Sequence, residues 1–196
     1  MPFGIIAAAG WASGINVYAT TFLLGIAGRL DWADTPSALQ HTWVLVLAGI
    51  MYVVEFCVDK VPLLDSAWDV IHTAIRPIGG ALIGGALAAD SGSSEVVAAL
   101  LGGGFSLSAH SAKASTRAAI NLSPEPFTNI GLSIFEDGIV AGLVILALDN
   151  PGLAAALAIV FAAASIVVVF LLVRTVRRFL ANWRARRRGA QPAEPS

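Results

Sequence analysis

The stretch EFCVDKVPLLDSAWDVIHTAIRP (Glu55–Pro77) and its later counterpart AHSAKASTRAAINLSPEPFTNIGLSIFED (Ala109–Asp137) set ionisable side chains into sequence that is otherwise apolar enough to span a bilayer. Seven acids, Glu55, Asp59, Asp65, Asp69, Glu125, Glu136 and Asp137, and four bases, Lys60, Arg76, Lys113 and Arg117, fall in these two runs. Such a group costs roughly 2.5–3.5 kcal/mol at the centre of a membrane helix, so it faces a bundle interior, a partner charge or a water-filled cavity. The runs therefore mark the inward faces of the helices and the place to look for function.

Outward from the runs the chain is apolar: 57% of its 196 residues are hydrophobic and 13% charged, with a mean hydropathy of +0.77. A soluble domain of this length does not bury that much apolar surface, so the expected class is an all-α integral membrane helix bundle. About 20 apolar residues cross roughly 30 Å of hydrocarbon. Six spans are expected on that rule, near Phe3–Gly28, Thr42–Val61, Val70–Ala89, Val96–Ala119, Phe127–Leu148 and Leu153–Val173. Met1-Pro2-Phe3-Gly4 lacks the positive region of a signal peptide, so the first segment is read as a retained span. The lone Cys57 has no partner for an internal disulfide and is read as packing.

Six spans put both termini on one side, and the tail RTVRRFLANWRARRR marks it as cytoplasmic, in the inner membrane of the cell. The loops agree. Arg29 is the one base expected outside, whereas Asp31, Asp34, Asp90, Glu95 and Asp149 occupy outer loops. Residues 174–188 interleave Phe179, Leu180 and Trp183 with arginines, which suits an interfacial helix on anionic lipid better than a nucleic-acid site. Residues 189–196 read as a disordered tail.

A weak internal repeat is present. Ser13, Gly14, Ala19, Thr20 and Thr21 correspond to Ser108, Ala109, Ala114, Ser115 and Thr116 at a constant offset of 95, and Glu55 then pairs with Glu136 if the first half has a loop 14 residues longer. Units 3–89 and 96–173 would each hold three spans, and an odd number forces opposite orientations, the inverted repeat of many transporters. Trp11-Ala12-Ser13-Gly14-Ile15-Asn16 and Gly102-Gly103-Gly104 put small and polar residues in mid-span of helices one and four. Two readings of these small residues stay open: close helix packing, and broken helices whose unwound backbone binds an ion.

Counting 1.5 Å per residue from a turn near Gly92 sets Arg76 level with Ser108 and His72 level with Ala112. His72 and Arg76 then lie beside His110 and Lys113. The sets Asp65, Asp69, His72, Arg76 and His110, Lys113, Arg117, Asn121 each recur at helical spacing and form one face. Glu55, Glu136 and Asp137 are too deep to reach the interface and should meet these bases. Seven acids against four bases leave a surplus of three, which points to protonated carboxylates or a bound cation. Asp59, Lys60, Asp65 and Asp69 have a second reading, as the wet face of an interfacial helix starting near Pro62.

EFCVDKVPLLDSAWD followed by HTAIRP, then AHSAKASTRAAINLSPEPFTN with LSIFED, resembles a family of small membrane proteins catalogued as a domain of unknown function, four-one-two-six. The likeness runs from about Gly10 to Leu148. It implies a multi-span membrane protein and carries no activity or site residues.

The residues themselves favour a small transporter or channel for a solute or ion, a homo-oligomer, with proton coupling through Glu55 and Glu136. Its binding set is Glu55, His72, Arg76, His110, Lys113, Arg117, Glu136 and Asp137. No organic cofactor is expected; a divalent cation on Glu55, His72, His110 and Asp137 is one version, and an anion or lipid headgroup on Arg76, Lys113 and Arg117 another. The alternatives are an intramembrane enzyme acting on lipid phosphates through His72 or His110, for which no catalytic signature is found, and a structural or accessory subunit. Beyond the lipid bilayer, no partner such as nucleic acid is expected.

Overall fold

The structure, a computed structural model, describes residues 2–61, 63–89, 91–121 and 126–189, with side chains outside positions 2, 126 and 182–189. Among the described residues the chain is a helix bundle without strands: α1 (Pro2–Ile15), α2 (Val17–Arg29), α3 (Ser37–Gln40), α4 (Thr42–Val58), α5 (Leu64–Ala89), α6 (Glu95–Ile120), α7 (Pro126–Asp149) and α8 (Pro151–Gly189). Burial is inverted relative to a protein in water. Val70, Leu82, Leu100, Phe135 and Val160 face outward while Glu55, Asp65, Arg76 and Arg117 are fully enclosed. That arrangement is stable only where the surrounding solvent is hydrocarbon. Leu64–Ala89, Phe127–Asp149 and Pro151–Ala181 are each long and apolar enough to cross a membrane.

The expected first span is not a straight crossing. α1 and α2 have 14 and 13 residues, about 20 Å each, short of the roughly 30 Å of hydrocarbon. Packing fixes their directions. Along α1, Gly4 meets the Pro151 carbonyl, Gly10 meets Gly102 and Gly14 meets Ser106 and Ala109, so α1 runs in the same direction as α6. α2 then climbs back along α4, with Phe22 against Gly49, Gly25 against Leu45, and Arg29 Nη1 donating to Thr42 Oγ1 at 2.9 Å. The pair is a re-entrant hairpin that starts and ends at one end of the bundle, and α4 to α8 run along the bundle in alternating directions.

The turn of the hairpin is Asn16, in extended geometry at φ −151° and ψ 98°. Its Oδ1 accepts from the Ala19 N–H at 2.9 Å and caps α2, while its own N–H still closes α1 on Ala12. The break expected in the first helix is therefore present. The one expected in the fourth is corrected, because α6 runs unbroken through Gly102-Gly103-Gly104. There the small residues serve packing: Cβ atoms added at Gly80, Gly84 and Gly102 would collide with Ser106, the Ala98 carbonyl and the Gly80 carbonyl. Gly92, at φ +69°, supplies the left-handed turn that folds α5 against α6.

Two further expectations change. With α4 to α8 alternating in direction, Phe3 lies beside Ser93, Ser94 and Val97, whereas Val176 and Arg177 of α8 lie beside Ala118 and Ala119 at the other end of α6, so the start of α1 and the far part of α8 sit at opposite ends of the bundle. Because α1 runs parallel to α6, the offset of 95 relates segments of like direction, and a full 3+3 inversion is not what it describes. The basic segment 174–188, expected as a separate interfacial helix, continues α8 to Gly189, since it contains no glycine or proline to stop it. The tail beyond residue 189 lies outside the described residues.

Close packing of α5 on α6 gives a first prediction. Gly102→Leu should lower stability by about 1–3 kcal/mol or prevent folding, while Gly104→Ala, whose new Cβ would meet nothing within 4 Å, should be neutral. Thermal unfolding of the detergent-purified variants checks this.

Candidate functional site

The helical spacing read from the sequence places one polar stripe on α5 and one on α6, and the α5–α6 turn sets them face to face. Ser106 Oγ donates to the Arg76 carbonyl at 2.8 Å, which fixes the register within two residues of the depth count. α4 brings Glu55 and, just past its end, Asp59; α7 brings Glu136; the tip of the re-entrant hairpin closes the layer. Asp59, Asp65 and Asp69 are 3%, 0% and 2% exposed, so the wet-face reading of these acids is corrected. They turn inward because lipid, not water, lies outside.

Three bases organise the layer. Arg76 Nη2 donates to Glu55 Oε1 at 2.9 Å, and its Nη1 lies 3.0 Å from Asp69. Lys113 Nζ is 2.5 Å from Asp59 Oδ2, 3.5 Å from Glu55 and 3.6 Å from Glu136. Arg117 Nη2 donates to Glu136 Oε2 at 2.7 Å, and Nη1 reaches the Asp59 carbonyl at 2.8 Å and Asp65 at 3.5 Å. Asn121 Nδ2 donates to Asp65 Oδ1 at 2.7 Å and ties the end of α6 to α5.

The hairpin tip depends on the same bases. A helix C-terminus leaves carbonyls without internal partners and carries partial negative charge. At the end of α1, the Gly14 carbonyl accepts from Arg76 Nη1 at 3.4 Å and the Ile15 carbonyl from Lys113 Nζ at 3.1 Å. Irregular backbone is tolerated at membrane depth only when protein satisfies it, and here two cations do so.

Of the two histidines, His110 touches the ion pairs and His72 stands beside them. Guanidinium nitrogens only donate, so His110 Nδ1 accepts from Arg76 Nη1 at 2.8 Å and its Nε2–H points to Thr73 Oγ1 at 3.2 Å. His72 Nδ1–H donates to the Trp68 carbonyl at 2.8 Å, and Nε2 accepts from the Tyr18 hydroxyl at 3.0 Å. Asp137 stands aside too, accepting from Asn16 Nδ2 at 3.4 Å. Glu55, His72, His110 and Asp137 therefore do not converge, and among the described residues no group of three His, Cys, Asp or Glu side chains has metal-holding geometry. Glu55, Arg76, His110, Lys113, Arg117 and Glu136 do come together. The expected binding set omits Asp59, Asp65 and Asp69, whose charge and spacing were visible in the sequence, and the neighbours Asn16, Tyr18 and Asn129, the last with its carbonyl 3.5 Å from Arg117 Nη1; Asn16 was visible as a polar residue in mid-span, whereas Tyr18 and Asn129 carried no signal.

Five carboxylates, Glu55, Asp59, Asp65, Asp69 and Glu136, face three bases in the enclosed layer. Glu125 lies outside the described residues. Glu55 Oε2, Asp59 Oδ1, Asp69 Oδ2 and Asp137 Oδ2 are buried without a hydrogen-bond partner among the described residues. Buried polar atoms are almost always partnered, so these oxygens, like the Nε atoms of Arg76 and Arg117, have hydrogen-bonding capacity beyond what the described residues supply.

Fold and site together define an integral membrane helix bundle with a buried, acid-rich ion-pair layer. The chain belongs to the family described as Domain of unknown function (DUF4126), which it matches over residues 3–171. No curated protein and no solved structure matches it.

Because acids are in surplus, the layer should tolerate loss of an acid better than loss of a base. Arg117→Met should cost about 3–5 kcal/mol by stranding Glu136 and Asp65, and Glu136→Gln distinctly less. Unfolding of the two variants and of the double variant, which should recover part of the loss, checks the asymmetry.

Proposed function

We propose that the protein is a small secondary transporter that binds a cation in the ion-pair layer and couples it to protons through Glu55 and Glu136. The observation that carries the reading is the acidic surplus of two with unpartnered carboxylate oxygens at the tip of a re-entrant hairpin. Broken helices ending at mid-membrane are a recurring way to present backbone carbonyls to a transported ion. An anion or lipid-phosphate chemistry finds no comparable support, since Arg76, Lys113 and Arg117 are each engaged by carboxylates.

The hairpins α4–α5 and α7–α8 cross in opposite directions, and their glutamates Glu55 and Glu136 meet at Lys113. This supports an inverted relation confined to those two hairpins, narrower than three spans each. Arg174, Arg177 and Arg178 in the far part of α8 support a cytoplasmic side for that part of the helix through the positive-inside preference, and with it an outer side for the start of α1. A homodimer in the inner membrane completes the reading.

Two experiments test it. A reporter fused after Ser196 should be active only as a cytoplasmic fusion, and a label at residue 2 should be reached from outside intact cells; the reverse pattern overturns the orientation. Proteoliposomes holding a pH-sensitive dye should alkalinise or acidify when a sodium, potassium or methylammonium gradient is imposed. Glu55→Gln and Glu136→Gln should stay folded and fall to the rate of empty vesicles. Wild-type protein indistinguishable from empty vesicles under all three gradients would sink the transport reading.

A further inference from the structure

The surroundings of the Lys113 ammonium have the composition of a cation site. Four oxygens from three segments converge on Nζ: the Ile15 carbonyl at 3.1 Å, Asp59 Oδ2 at 2.5 Å, Glu55 Oε1 at 3.5 Å and Glu136 Oε2 at 3.6 Å. One is a main-chain carbonyl at the negative end of α1 and three are carboxylates, the hard ligands preferred by ions that bind through oxygen. Glu55 and Asp59 each keep a second buried oxygen without a partner among the described residues. The group that sits in the cage is itself a monovalent ammonium. Arg76 on Glu55 and Arg117 on Glu136 flank the cage, and with Lys113 set aside the five buried carboxylates outnumber these two guanidiniums, so the site favours a cation. Asp69 and Asp65 lie on the far sides of the same two guanidiniums and add to the negative field.

We propose that this cage is a binding site for a small monovalent cation of the ammonium or alkali class, in which the Lys113 ammonium is a tethered occupant that a free cation replaces. Lys113 reaches the cage from α6, whereas every ligand belongs to α1, α4, the residue after α4, or α7. Withdrawal of one side chain therefore opens the site without dismantling its ligands. The inference deepens the transport reading by naming the class of ion, but an equilibrium titration reads the cage even in a protein that moves nothing.

The test uses full-length Lys113→Ala, purified in detergent, with methylammonium, potassium or sodium chloride titrated against choline chloride at constant ionic strength. A cation that binds only the folded form raises its stability, so at least one of the three should give a saturable rise in Tm of about 4 °C or more. Choline, too large for a cage lined by oxygens within 3.6 Å of one nitrogen, should give none. Wild-type protein should respond only at higher concentration, because the free cation must first displace Lys113. The double variant Asp59→Asn with Lys113→Ala should lose the response. Lys113→Gln, which keeps side-chain volume, is the second variant under the same titration. Equal behaviour in all four salts, or both single variants unfolded in every salt, overturns the proposal.

Discussion

The pairing of Arg76, Lys113 and Arg117 with buried carboxylates is the interaction on which the rest of the molecule depends. Each base sits on α5 or α6, and each reaches at least one acid carried by another helix. In hydrocarbon an unpaired charge costs several kcal/mol, so these pairs dictate which helix faces must meet. The apolar surfaces cannot do so, because lipid solvates Leu and Val as well as protein does.

The re-entrant hairpin follows from the same pairs. Its tip exposes carbonyls in the middle of the bundle, where no water satisfies them, and Arg76 and Lys113 bind them while still holding Glu55 and Asp59. Two bases thus join the broken helix, α4 and α6 in one network. Close helix contact is the other requirement: Gly80 and Gly102 let α5 and α6 approach closely enough for Ser106 to bond the Arg76 backbone. A network with more acids than bases is poorly suited to pure stabilisation, since each surplus carboxylate must be protonated or matched by an added cation. That imbalance is what turns a structural layer into a candidate transport site.

Much of the fold was legible in the sequence, and so was much of the site. Five of the six expected segments coincide with the helices α4 to α8, α5 starting earlier, at Leu64, and α8 running on to Gly189, and three of these helices are long and apolar enough to cross a membrane. The stripes Asp65, Asp69, His72, Arg76 and His110, Lys113, Arg117 lie on single faces because helical period alone sets them. Six of the eight residues proposed as a binding set converge; His72 and Asp137 stand at its edge.

The sequence by itself determined the class of solvent, the helices and the faces they bury, since hydropathy and period are local properties of the chain. Only the tertiary structure decided that the segment around Asn16 turns back, so that the start of α1 and the far part of α8 lie at opposite ends of the bundle. The run Pro2–Arg29, 28 residues with Asn16 between its 14- and 13-residue helices, has the length of a crossing whether straight or folded in two, and nothing local separates the cases. The same holds for Asp59, Asp65 and Asp69. Their alternation with apolar residues fits a wet face or a buried one, and the choice fell to the bases that α6 and α5 present from across the bundle.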